Sequence, residues 1–98
     1  MIKVKVRYLG FLADLSNTQE EEIVLEEGLS LRHLLVKVVE RHPTLSPLIK
    51  SILNESKHLE SFPITIILNS KLLSSNQDLT ITLKENDLVV LSYLVAGG

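Results

Sequence analysis

Ile2, Val4, Val6 and Tyr8 alternate with Lys3, Lys5 and Arg7, a period of two that predicts a half-buried β-strand with its basic side chains in water. Gly10 interrupts the alternation, and Phe11, Leu12 and Leu15 then have the spacing of one helical turn dipping into the core. Asn17 and Thr18 suit a turn. From Glu20 to Glu26 the extended pattern resumes with Ile23 and Leu25 inward, which predicts a hairpin-like pair with the first strand and a solvated start at Glu20-Glu21-Glu22.

The period changes to that of a helix after Glu27-Gly28-Leu29-Ser30. Ser30 suits an N-cap, because its hydroxyl can accept from an orphan N–H of the first turn. Behind it Leu31, Leu34, Leu35, Val38 and Val39 fall on one stripe, with Arg32, Lys37, Glu40 and Arg41 around the rest. Pro43 ends this main helix by biasing the preceding residue out of the α region. Ser46-Pro47 starts a shorter one, whose apolar side is Leu48, Ile49, Ile52 and Leu53.

Glu55 to Ser61 reads as a polar loop, and Phe62 to Leu68 as a strand rich in β-branched residues. Asn69-Ser70 makes a tight turn into Lys71-Leu72-Leu73, with serine where glycine is the better turn residue. Ser74 to Asp78 reads as irregular, Thr80 to Leu83 as a short strand, and Lys84-Glu85-Asn86-Asp87 as a turn. In the last strand, Leu88 to Tyr93, the run Leu88-Val89-Val90-Leu91 predicts burial on both faces or a central place in the sheet. Placed beside the first strand, it is expected to bring the two chain ends close together. The fold class is α+β, a sheet of four to five strands packed on one main helix plus a short second helix.

The 98 residues suffice for one domain, read as 1–93, followed by a flexible tail at 94–98. A net charge of −2 gives no electrostatic footprint for nucleic acid or an anionic membrane surface, so neither is expected as a partner. No cysteine is present, which excludes disulfides and thiolate chemistry in this sequence. Apolar runs fall short of the ~20 residues of a membrane helix, so a cytoplasmic location is expected. His33, His42 and His58 lack the spacing of a metal set and read as surface residues; Asp14, Asp78 and Asp87 read as turn residues. No serine sits in a nucleophile motif, and no catalytic residue of the chain's own is expected.

What remains is the tail. Leu94, Val95, Ala96, Gly97 and Gly98 shed bulk towards a terminal carboxylate of ordinary pKa about 3.3–3.7, on a residue with no Cβ to hinder access. Extended, the five residues 94–98 reach at most roughly 16–18 Å, enough to enter a buried site. Ordering them costs about 1–2 kcal/mol each, more than their own contacts offset, so the folded body is expected to dock too. The apolar residues beside the tail, Tyr8, Leu91, Tyr93, Leu94 and Val95, are the docking candidates.

The opening Val4-Lys5-Val6-Arg7-Tyr8 with Phe11 and Leu15, the helix start Glu27-Gly28-Leu29-Ser30-Leu31-Arg32, the segment Lys84 to Leu91 and the closing Val95-Ala96-Gly97-Gly98 together resemble the MoaD/ThiS family of β-grasp, ubiquitin-like sulfur carriers. The likeness is strongest to the branch that supplies small subunits of molybdopterin synthase. It departs at Asn69-Ser70, where the family commonly has Asn-Gly, and at Tyr93-Leu94, where it has Pro-Pro. The resemblance implies that an E1-like adenylating enzyme, using ATP and magnesium that this chain does not bind, converts Gly98 to an acyl-adenylate. Sulfur then displaces it to give a thiocarboxylate. It further implies a molybdopterin synthase large subunit as partner, in a heterotetramer, with sulfur delivered to a pterin precursor in molybdenum cofactor biosynthesis. The alternatives are a ubiquitin-like modifier joined through Gly98 to lysines, a sulfur carrier for thiamine or tRNA thiolation, and a β-grasp interaction module with an inert tail.

Overall fold

The opening alternation becomes strand β1 (Ile2–Leu9), whose residues are strictly buried and exposed in turn. This is a computed structural model, and the structure describes residues 1–54 and 64–93. Five strands form one sheet in the order β2-β1-β5-β3-β4, with β2 at Glu20–Leu25, β3 at Ile64–Leu68, β4 at Lys71–Leu72 and β5 at Leu88–Tyr93. The β5 strand is central, antiparallel to β3 and parallel to β1.

That parallel pairing corrects one expectation. Leu9 pairs with Ser92, so β5 ends beside the C-terminal end of β1, a full strand away from Met1. The first and last described residues therefore lie at opposite ends of two neighbouring strands, about 25 Å apart at the rise of an extended chain. Burial of β5 on both faces is also not observed. Val89 and Leu91 are in the core, while Leu88, Val90 and Ser92 are half-buried on the other face, which no helix covers among the described residues. The apolar run marks the central strand instead.

Helix α2 (Leu31–Arg41) crosses the inner face and buries Leu31, Leu34, Leu35 and Val38, the predicted stripe, with Val39 at its margin. Its N-cap is Ser30, and the residue that reaches back is His33, whose Nδ1 accepts from the Ser30 N–H at 3.1 Å and lies 2.9 Å from Oγ. Histidine thus takes the place of the Glu or Gln usual in a capping box. After His42 a 3-10 turn at Pro43–Leu45 runs into α3 (Ser46–Asn54), which buries Ile49 and Ile52.

Two loop segments differ from expectation. Ser74 to Asp78 is largely ordered, because Ser75 caps a 3-10 helix at Asn76–Thr80 and Asp78 accepts from the Ser74 and Ser75 N–H groups, each at 3.2 Å. Thr80 to Leu83 joins no strand of the sheet. It lies against the start of α2, with the Leu31 N–H donating to Ile81 O at 2.9 Å and the Leu83 N–H to Leu29 O at 3.0 Å. Leu79 and Leu83 plug the core from this side. The loop at Glu55 to Ser61, with Phe62 and His58, lies outside the described residues.

Candidate functional site

The predicted reactive residue Gly98 and the tail residues Leu94, Val95, Ala96 and Gly97 lie outside the described residues, so the site is built from its root. The last described position is Tyr93, paired with Ile64 on one side of β5. On its other side is the turn from β1 into helix α1 (Phe11–Ser16). Gly10 makes that turn at φ 61°, and a Cβ added there would stand 3.4 Å from the Tyr93 carbonyl oxygen. Glycine is needed here for the positive φ, while a Cβ at that distance from the carbonyl would be in ordinary contact. Phe11 then sets its ring edge-on against Tyr93, with centroids 5.6 Å apart. Only Leu12 of the predicted turn is fully buried; Phe11 is 49% exposed, because helix α1 caps the end of the sheet and turns its first residue outward. Asp14 lies within α1 and not in a turn.

Two docking candidates are corrected. Tyr8 and Leu91 are each only 1% exposed and pair with one another in the sheet, so both belong to the core and neither offers surface to a partner. Tyr93 is half-buried and remains a candidate. The accessible apolar surface lies elsewhere, on the uncovered sheet face. There Val90 pairs with Ile67, which pairs with Leu72, and Leu88 precedes them along β5. Leu72 is 62% exposed. Across β1 the same face turns charged. Lys5 and Arg7 meet Glu22 and Glu20 of β2, with Arg7 2.9 Å from Glu20. The hydrogen bond from Arg7 holds the Glu20 carboxyl below the ordinary carboxylate range, with Lys5 adding to it. The sheet face is thus apolar over β5, β3 and β4 and ionic over β1 and β2. Period two places Ile67, Val90 and Leu72 on this face once the register is known, but their pairing is not written in the sequence.

A polar cluster closes the core at the same end of β1. Glu21 was expected in solvent with its neighbours, yet its side chain is only 16% exposed. It accepts from the Tyr8 hydroxyl at 2.6 Å, the His42 Nε2 at 2.6 Å and the Arg41 guanidinium at 2.7 Å. Burial pushes the Glu21 carboxyl up, but the three donors outweigh it and hold the group below its ordinary value. Burial, reinforced by the Glu21 charge and hydrogen bond, pushes the Tyr8 phenol well above its ordinary range, against the opposing Arg41. His42, expected at the surface, is therefore half-buried, edge-on to the Tyr8 ring at 5.5 Å. The cluster fastens β1, β2 and the end of α2. Among the described residues no three His, Asp or Glu side chains converge as a cation site requires.

These features coincide with a known family. The sequence profile of the ThiS family matches residues 6–98. No curated protein sequence matches the chain. Solved structures with this fold include a putative molybdopterin converting factor, subunit 1, from Pyrococcus furiosus, 26% identical, with a TM-score of 0.72 over 97% of this chain and 100% of that one. The small archaeal modifier protein 1 of Methanosarcina acetivorans is 23% identical, with a TM-score of 0.70 over 100% of this chain and 98% of that one. Its namesake in H. volcanii is 15% identical, with a TM-score of 0.74 over 97% of this chain and 100% of that one. At these lower identities the likeness establishes the ubiquitin-like β-grasp fold alone.

Proposed function

The chain belongs to the ThiS family, and from that premise we propose that it is a sulfur carrier whose Gly98 carboxylate is the reacting group. The observation that carries this is the family match running to Gly98 itself, five residues along the chain from Tyr93, the last residue of the central strand. A carboxylate is a poor electrophile and needs activation. One of its oxygens attacks the α-phosphorus of ATP in an adenylating partner, pyrophosphate departs, and an acyl-adenylate forms. A sulfur nucleophile supplied by the partner system adds at the acyl carbon and expels AMP. Where that nucleophile is a partner persulfide, a second thiol of the partner system attacks the donor sulfur of the resulting acyl disulfide. The S–S bond breaks with its electron pair going to the carrier sulfur, the donor leaves as a disulfide, and the thiocarboxylate remains on Gly98. Magnesium, ATP and the charge-stabilising groups belong to the partner; this chain supplies the acyl group on a tether.

Molybdopterin biosynthesis is the pathway we assign, with the chain as the small subunit docked on a large one. The Pyrococcus furiosus relative named as a molybdopterin converting factor subunit, at 26% identity over nearly the whole chain, favours it. A second reading, attachment to lysines as a protein modifier, is favoured by the fold shared with the small archaeal modifier proteins. Both begin with the same adenylate. Intact mass spectrometry of the protein from its own cell separates them. Replacement of one oxygen by sulfur at Gly98 is the expected result, while lysines bearing a Gly-Gly remnant identify a modifier. Deleting Gly97 and Gly98 abolishes either activity, and function that survives the deletion overturns both.

A further inference from the structure

Residues 94–98 contain no proline, so no pyrrolidine ring fixes a φ angle in the segment that follows Tyr93. Tyr93 is held on two sides, by its pairing with Ile64 of β3 and by the turn into α1. Phe11 leaves nearly half of its surface in water, 49%, while its ring stands edge-on to Tyr93 at 5.6 Å and 69°. Core packing does not account for a ring so exposed. The preceding Gly10 turns at φ 61° beside Tyr93 and so places Phe11 over the last residue of β5. The parallel pairing of Leu9 with Ser92 brings them there. From these contacts we infer that Phe11 is a positioning residue for the transfer reaction: it steadies Tyr93, the last described residue of β5 and the root of the segment that carries Gly98 to the partner, a role that presupposes the carrier function proposed above.

The effect expected of such a residue has a signature. If only a fraction of molecules hold this root in the conformation the partner binds, the apparent dissociation constant for the partner is divided by that fraction. Loss of the ring lowers the fraction and raises KM. The chemical step in the saturated complex is untouched, so kcat stays. An edge-on aromatic pair sets the scale at about 2- to 10-fold.

The test uses the full chain with the adenylating enzyme of its own cell, read by ATP–pyrophosphate exchange. Phe11→Ala is expected to raise KM for the carrier about 2- to 10-fold with kcat within about twofold, and Phe11→Tyr, which keeps the ring, to restore the wild-type value. Val24→Ala, an exposed apolar position on the far edge strand, serves as the control for lost surface and leaves KM unchanged. In parallel, the Tyr93 backbone order parameter in Phe11→Ala falls below the about 0.85 of rigid backbone, while those of Val89 and Leu91 hold. An unchanged KM, a fall in kcat at constant KM, or an unchanged Tyr93 order parameter overturns the role of Phe11. Absence of exchange with the wild-type chain is a different failure, because it overturns the carrier function itself.

Discussion

Asn69 and Ser70 both adopt left-handed backbone, at φ 48° and 73°, to close the hairpin between β3 and β4. Asparagine tolerates this, and here its side chain is also used. Its Nδ2 donates to Asp87 at 2.8 Å, its Oδ1 accepts from the Leu88 N–H at 2.9 Å, and its own N–H donates to Leu88 O at 2.9 Å. Among the described residues Ser70 makes no side-chain hydrogen bond of this kind, and left-handed backbone costs an L-residue about 1–2 kcal/mol. Ser70→Gly relieves that strain but gives the unfolded chain more freedom, offsetting about 0.5–1 kcal/mol. The expected net gain is about 0.5–1 kcal/mol, a rise of several degrees in the midpoint of a thermal melt. Asn69→Ala removes the side-chain hydrogen bonds and the tolerance together, and is expected to cost about 2–3 kcal/mol in urea titration. The turn itself was legible from Asn69-Ser70. Its tie to Asp87 was not, because a contact across 18 positions leaves no mark in a local pattern.

Between elements, Glu21 is the residue on which β1, β2 and α2 converge. The run Glu20-Glu21-Glu22 reads as uniformly solvated by composition, but period two gives a different answer. Glu21 shares its face with Ile23 and Leu25, while Glu20 and Glu22 point to the lysines and arginine of β1. The alternation could have found the inward carboxylate; its donors Arg41 and His42, at the far end of the main helix, could not be read from it. A carboxyl held below its ordinary value in the folded state stabilises that state above the unfolded pKa of about 4.3, and the contribution is lost as pH falls through the lower folded value. Wild-type stability is therefore expected to decline as the medium is acidified below about pH 4–5. Glu21→Gln presents an amide NH2 where donors already point and is expected to lose about 1–3 kcal/mol at neutral pH. Its urea midpoint should also vary less with pH over the acid range than that of the wild type. An acid limb as steep as the wild type's would remove Glu21 from this account.

At the scale of the whole molecule, hydrophobic period conveyed which residues face the core and that β5 is central, since these depend on the chemistry of each strand alone. Strand direction and neighbour did not follow from it. The parallel contact of β1 with β5 joins residues more than eighty positions apart, and it reverses where the chain ends were expected to lie. It also takes Tyr8 and Leu91, which period two had already turned inward, out of the docking candidates and leaves the apolar half of the uncovered sheet face as the accessible apolar surface. Leu72 is its most exposed large residue at 62%, so a charge placed there meets water in the free protein and a desolvated surface in a complex. If the body docks through this face when the tail is delivered, Leu72→Glu should weaken the complex with the adenylating partner about 10-fold or more by titration calorimetry, with the melting midpoint unchanged. Deleting Gly97 and Gly98 should have the converse pattern: binding of the body largely retained, no pyrophosphate exchange. Equal affinities for Leu72→Glu and wild type would move the docking surface off this face and leave the aromatic root at Phe11 and Tyr93 as the contact that remains.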